Sequence, residues 1–324
     1  MDVNQLVQIY ERFETDIQYQ EQRTQLMNPV SYIMGLKSKR IRPLLVLVGY
    51  SCYGTDVTRV LDAAFGIEIF HNFTLMHDDI MDEASLRRGM PATHIRYGIN
   101  EAIISGDAMS IMAYDYIMKN CNDEQLREVL NIFNKTSLDI CVGQQMDMEF
   151  EKCASVESEQ YIEMIRLKTA VFLGMALQIG ARIGGASSDE AQSIFEYGQS
   201  LGIAFQIQDD LLDLIGDQDK VGKVKGGDLI RNKKTFLVCK AHELANQTQR
   251  SKLDHFMSDV DMNPIDKVEG ITSIFEKIDL FKIVQSEIDS YFDKANSILK
   301  SLNLNATRNE LLHTITQMIR DRKS

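Results

Sequence analysis

Two stretches limit what this chain can fold into: His77-Asp78-Asp79-Ile80-Met81-Asp82 and Gln206-Ile207-Gln208-Asp209-Asp210-Leu211-Leu212-Asp213. Each has two adjacent aspartates and a third one helical turn after the first. At 3.6 residues per turn, Asp78 and Asp82 share a helix face, as do Asp209 and Asp213. The flanking text is apolar, with Leu61, Phe65, Ile67, Phe70, Phe73 and Met76 before the first cluster and Phe195, Leu201, Phe205, Leu211 and Leu214 around the second. Helices that are apolar nearly all round lie inside an all-helical body. Carboxylates in such surroundings are costly unless a cation pairs with them, so both clusters ask for metal ions.

Few breakers interrupt the rest: 4 prolines and 19 glycines in 324 residues. Residues 3–22 carry a one-sided apolar stripe at helical spacing, and Ser187-Ser188-Asp189-Glu190 is a capping box opening the second aspartate helix. Tyr161 to Gly184 is a helical pair or one kinked helix containing Lys168-Thr169. No sustained alternation, Pro/Ser linker or short repeat is present, so the expectation is a single all-α domain over residues 1–324. The net charge of −12 disfavours nucleic acid or anionic membrane as the main partner. Five scattered cysteines without CxxC spacing point to reduced thiols in a cytoplasmic protein. The polar, acidic start is no signal peptide, and no run of about 18 apolar residues is free of charge, so no transmembrane segment is expected.

Local basic groups answer the aspartates. Lys37-Ser38-Lys39-Arg40-Ile41-Arg42-Pro43 leads into a helix near whose N-terminus an anion is favoured. Arg87-Arg88-Gly89 follows the first cluster directly, and Lys220, Lys223, Lys225 and Lys233 follow the second. Magnesium takes octahedral oxygen ligands and fills its shell with phosphate and water. Two aspartate clusters on facing helices would clamp one diphosphate, with Lys168, Lys223 and Lys233 neutralising the remaining charge and stabilising it as a leaving group. There is no GxxxxGK[ST] loop and no telling nucleophile–base pair, which argues against phosphoryl transfer from a nucleotide. Beside the clamp, Phe70, Phe73, Leu75, Met76, Leu201 and Phe205 offer a dry pocket for an allylic cation. A second basic set of Lys39, Arg42, His71 and Arg88 would hold another diphosphate whose alkene attacks that cation. The chemistry indicated is ionisation, condensation and elimination.

The ordered set resembles the trans-isoprenyl diphosphate synthases (polyprenyl synthetases). Asp78-Asp79-x-x-Asp82 with Arg87-Arg88-Gly89 is similar to that family's first aspartate-rich motif, and Gly202-x-x-Phe205-Gln206-x-x-Asp209-Asp210-x-x-Asp213 to its second. Lys39-Arg40-x-Arg42-Pro43, His71, Gly143-Gln144-x-x-Asp147, Lys168-Thr169 and the spaced Lys223, Asp228 and Lys233 resemble further motifs. The resemblance implies an antiparallel helical bundle around a central cavity, commonly a homodimer. It implies three Mg2+ bound by Asp78, Asp82 and Asp209, with Asp79, Asp210, Asp213 and Asp147 completing the metal set. Arg87, Lys168, Lys223 and Lys233 would bind the allylic diphosphate. Lys39, Arg42, His71 and Arg88 would bind isopentenyl diphosphate, and Thr169 and Gln206 would steady the cation.

Lys37-Ser38 stands where the family has two glycines, and Asn232 replaces a glycine before Lys233. Phe73 lies five residues before Asp78, about 7.5 Å along a helix. With Thr74 beside it, this combination resembles the C20 producers more than the C15 ones and makes Phe73 the expected floor of the product pocket. The alternatives are a terpene cyclase or squalene/phytoene-type synthase, a non-catalytic partner subunit, and a helical metal-binding scaffold. Cyclases pair the first motif with a different triad, a partner subunit should have lost aspartates or lysines, and a scaffold needs no arginine and lysine sets.

Overall fold

The computed structural model describes residues 1–17, 25–216, 226–259, 261–302 and 304–322. Its helices are α1 (Val3–Asp16), α2 (Met27–Gly35), α3 (Ile41–Ser51), α4 (Leu61–Met81), α5 (Thr93–Tyr97), α6 (Ile99–Met118), α7 (Asp123–Phe150), α8 (Ser158–Ile165), α9 (Val171–Gly184) and α10 (Ser188–Ile215). After these come α11 (Gly227–Ile230), α12 (Phe236–Leu244), α13 (Gln247–Ser258), α14 (Pro264–Lys277), α15 (Leu280–Ser301) and α16 (Ala306–Arg320). The all-α expectation holds. The stripe read over residues 3–22 is helical as far as Asp16; residues 18–22 of that reading lie outside the described residues.

Backbone proximity divides the chain into two compact units. The first comprises Met1–Phe133, Met175–Ile194 and Leu304–Leu311; the second comprises Asn134–Gly174, Phe195–Asn303 and Leu312–Ser324. Helices α7, α9, α10 and α16 contribute to both.

In the first unit α4 packs along α6 and against α3. Phe65, Ile67, Ile69 and Met76 of α4 are fully buried, each worth roughly 1.5–3 kcal/mol of apolar transfer. A 3-10 turn, Val57–Val60, leads into α4, and the Asp56 side chain caps it by accepting from the Thr58 amide at 3.2 Å. At the other end the Asp82 amide closes the last turn onto the Asp78 carbonyl at 2.8 Å. A two-residue hairpin then pairs Leu86 with Pro91 and Arg87 with Met90. Its turn residues, Arg88 (φ +54) and Gly89 (φ +78), are both left-handed, as a tight primed hairpin turn requires. Sequence alternation missed this hairpin because two-residue strands are too short to show a period. The capping box is present: the Ser187 amide donates to Glu190 Oε2 (2.8 Å) and the Glu190 amide to Ser187 Oγ (3.3 Å).

In the second unit α8 packs against α12, and α14 touches α11, α13 and α15. The chain expected to kink between Tyr161 and Gly184 is one helical run, Ser158–Gly184, with a π turn at Arg166–Ala170. An 18-residue window of it, with mean hydropathy 1.3, is long and apolar enough for a membrane span, but 78% of that window is buried within the protein. It reads as a core helix.

Candidate active site

The basic loop before α3 is built on one buried carboxylate. Arg40 has a left-handed backbone (φ +46). Its guanidinium donates to Glu68 Oε1 (2.8 Å), Glu14 Oε2 (3.1 Å), the Met34 carbonyl (2.6 Å) and Ser38 Oγ (2.8 Å). Burial alone would lower the Arg40 pKa, but Glu68 and Glu14 outweigh it and hold the group above its ordinary value. Ser38, at a position where the resembling family carries glycine, thus supplies one of the acceptors that fix the loop.

Arg42 Nη1 lies 3.0 Å from His71 Nε2. Burial and the adjacent Arg42 push His71 well below its ordinary pKa, so the ring is neutral and its Nε2 accepts from the guanidinium. Burial also lowers Arg42 to about 10. Arg88 Nη1 reaches the Asn72 Oδ1 and Leu36 carbonyl, each at 3.4 Å, and Asn72 is held in turn by Glu68 Oε1 at 3.0 Å. Arg42, His71 and Arg88 therefore share one neighbourhood, and Lys39 is exposed beside them.

The first aspartate motif splits into outward and inward positions. Asp82 is exposed and Asp78 half-buried, whereas Asp79 is fully buried. Arg87 Nε sits 3.0 and 3.2 Å from the two Asp79 oxygens, and Arg87 Nη2 contacts Oδ1 as well. Asp79, expected in the metal set, carries this pairing with Arg87. Upstream, Phe73 lies 4.9 Å (ring centroids) from His77 and 5.4 Å from Phe70, and Phe70 continues to Phe133 at 4.8 Å.

In the second unit the π turn sets the geometry. The Val171 amide bonds to the Arg166 carbonyl, one residue further back than an α-helix would, which re-aims Lys168 and Thr169. A Cβ at Gly143 of α7 would fall 2.2 Å from the Lys168 amide nitrogen, and one at Gly202 of α10 would fall 2.5 Å from Ala170 Cα. Only glycine lets the two helices clasp the turn this closely. Lys168 pairs with Asp147. A cavity of ≈ 240 Å³ is lined by Asp147, Lys168, Thr169, Gln206, Asp209 and Lys233 together with other polar side chains. Asp210 and Asp228 line it as well, so eight residues singled out from separate motifs converge on one space. Lys223, expected with them, lies outside the described residues.

The second motif is split like the first. Asp209 and Asp213 are half-buried, and Asp210 is 5% exposed. Asp210 accepts from the Tyr161 hydroxyl (2.7 Å), the Phe236 amide (3.1 Å) and Gln206 Nε2 (3.4 Å). Burial pushes its pKa up to about 8, opposed by the hydrogen bonds from Tyr161 and Phe236. Asp210, also expected in the metal set, joins α10 to α8 and α12. Asp213 Oδ2 accepts from the Asp228 amide at 3.1 Å.

The carboxylates left on the outward positions are hard oxygen donors suited to magnesium. Among the described residues no three His, Cys, Asp or Glu side chains form a metal cage by themselves. That donor set fits an ion that keeps its waters and substrate phosphates and takes only one or two carboxylates.

No motif singles out two further residues of the site. Tyr161 sits in an ordinary amphipathic stripe 49 positions before its partner Asp210, so no local pattern marks it. Arg322 donates to Asp209 Oδ1 at 2.8 Å, and its guanidinium lies over Phe205 at 4.3 Å. Its only signal was the basic composition of the C-terminus.

Known proteins resemble this chain in sequence and in fold. A short chain isoprenyl diphosphate synthase of Methanocaldococcus jannaschii is 36% identical over 281 residues, covering 87% of this chain and 85% of that protein. A geranylfarnesyl diphosphate synthase of Aeropyrum pernix is 34% identical over 291 residues, covering 88% and 90%. A crystal structure of a geranylgeranyl pyrophosphate synthase superposes with a TM-score of 0.94 at 36% identity, covering 100% of both chains. The sequence profile of polyprenyl synthetase matches residues 23–275. The chain belongs to the polyprenyl synthetase family.

Proposed function

We propose that this protein is a magnesium-dependent prenyltransferase that condenses isopentenyl diphosphate head-to-tail with an allylic diphosphate. The product is a short trans-prenyl diphosphate, C20 in preference to C15, and diphosphate leaves. The observation that carries this reading is the cavity where Asp147, Lys168, Thr169, Gln206, Asp209 and Lys233 meet. Its cations and carboxylates suit a metal-bound diphosphate, and its location beside the π turn suits a reacting centre. The names of the relatives, geranylgeranyl and geranylfarnesyl synthases among them, support the same chemistry.

In this reading Asp78, Asp82 and Asp209 would hold three Mg2+, with Asp79, Asp147, Asp210 and Asp213 supporting directly or through water, and the ions when bound would neutralise the leaving diphosphate. Lys168, Lys233 and Lys223 bind the allylic diphosphate and draw charge from the C–O bond as it breaks. Arg87 contributes the guanidinium edge not taken up by Asp79. The Thr169 hydroxyl and Gln206 amide oxygen face the carbon that becomes positive. Lys39, Arg42 and Arg88 hold isopentenyl diphosphate, with neutral His71 orienting Arg42. Its alkene carbon forms the new C–C bond, and the departing diphosphate takes the proton whose loss restores the double bond. Phe73, backed by Phe70 and Phe133, limits chain growth.

The whole chain, residues 1–324, acts as one polyprenyl synthetase domain in the cytoplasm. A homodimer is supported by exposed apolar side chains at helical spacing: Ile104 (58%) and Ile111 (67%) on α6, Leu138 (68%) and Val142 (52%) on α7. The test is incubation of pure protein with Mg2+, isopentenyl diphosphate and C5, C10 or C15 allylic diphosphate, with product identification. A C20 product is expected, and no elongation from any primer sinks the reading.

A further inference from the structure

Lys267 lies on α14, outside every motif read from the sequence, and it is 3% exposed. Its Nζ donates to Asn232 Oδ1 at 2.5 Å. An ammonium so enclosed costs free energy unless an acceptor meets it, and Asn232 provides one from the loop that carries Lys233. Asn232 is left-handed (φ +59), a conformation asparagine tolerates better than most residues. Where the resembling family has glycine, asparagine keeps the turn and adds the side-chain oxygen that Lys267 grips.

The surrounding segment is tied down on both sides. The Asp228 amide bonds to Asp213 Oδ2 (3.1 Å), the Lys233 amide to the Asp228 carbonyl (2.9 Å), and the Phe236 amide to Asp210 Oδ2 (3.1 Å). Two of these ties come from the second aspartate motif, and the Lys267–Asn232 bond comes from α14. Lys233 lines the cavity, and neither Asn232 nor Lys267 does. We propose that Lys267 is a positioning residue for the allylic diphosphate: through Asn232 it fixes the turn that aims Lys233 into the cavity. This rests on the role given to Lys233 under the proposed function.

Steady-state kinetics with each substrate varied separately tests it. Lys267→Met and, separately, Asn232→Gly should each raise KM for the allylic diphosphate about tenfold, the size of one lost oriented contact. KM for isopentenyl diphosphate should stay within about twofold, and the double variant should be no worse than either single one, as expected for one shared interaction. A merely structural defect lowers the active fraction and leaves both KM values in place. Asn232→Gly keeps the left-handed turn, so it guards against misfolding of Lys267→Met. Unchanged allylic KM, equal rises for both substrates, or additive effects in the double variant overturn the proposal. Failure of the wild-type protein to elongate any primer overturns the function reading itself, a separate outcome.

Discussion

The two aspartate motifs share a spacing but satisfy their buried middle residue differently. Asp79 faces a full charge, the two-pronged guanidinium of Arg87, eight residues downstream. Asp210 faces only neutral donors, the Tyr161 hydroxyl, the Phe236 amide and the Gln206 amide. Its carboxyl is accordingly pushed up to about 8 by burial. In each motif the first and third aspartates are less buried than the second. The shared spacing thus gives each motif a more exposed first and third aspartate and a buried middle one that fastens the helix, with Asp209 itself met by Arg322 and Asp210 also lining the cavity. The difference lies in how the fastening is done, by charge on one side and by hydrogen bonds on the other.

The outward positions give the largest expected effect. Asp78→Ala and Asp209→Ala should each lower kcat on the order of 10³-fold, as for loss of a main electrostatic stabiliser, with little change in the apo unfolding midpoint. A rate loss under tenfold in either would break the division of labour. The inward positions should show the reverse, in stability. Asp79→Asn leaves Arg87 without its charge partner and should cost roughly 3–5 kcal/mol. Asp210→Asn, which loses one acceptor among neutral donors, should cost about 1–3 kcal/mol. Urea unfolding of the two variants compares them, and equal losses would mean that the charge on Arg87 does not matter.

Much of this was legible in the sequence. Charged residues at fixed spacing inside apolar helical text are rare enough to locate both motifs, the basic loop and Lys168 without coordinates. What was not legible depends on distant chain segments. The π turn at Arg166–Ala170 needs Gly143 and Gly202 on two other helices. The partners of Asp210 come from α8 and α12. Asp79 and Asp210 look the same as their neighbours in the sequence, and only burial separates the anchoring aspartates from the outward ones. The hairpin behind Arg87-Arg88-Gly89 is a local feature whose signal was two turn residues, not strand periodicity.

The first motif's helix carries two further features that sharpen the comparison. Phe73→Ala should lengthen the product by one or more C5 units, with Phe70 and Phe133 still present below; unchanged chain length removes Phe73 as the floor. The smaller effect is pH-dependent. His71 is held neutral, its folded pKa depressed below the ordinary 6.5 by burial and Arg42. Its contribution is therefore present above pH 6.5 and lost as pH falls toward the folded value, by at most about 1.4 kcal/mol per unit. Asp210, raised to about 8, gains stability over the same fall in pH, so the readout is the difference: between pH 7 and 5.5 His71→Gln should lose less, or gain more, than wild-type protein. Parallel changes would show that His71 is not the group responsible.

The most direct test of the split between outward and inward aspartates is the Mg2+ dependence of condensation in four variants, Asp78→Asn, Asp79→Asn, Asp209→Asn and Asp210→Asn, each confirmed to be folded. The account predicts that Asp78→Asn and Asp209→Asn move the half-saturating Mg2+ concentration upward by about tenfold or more. Asp79→Asn and Asp210→Asn should keep the wild-type value. A shift of the same size in all four would contradict it.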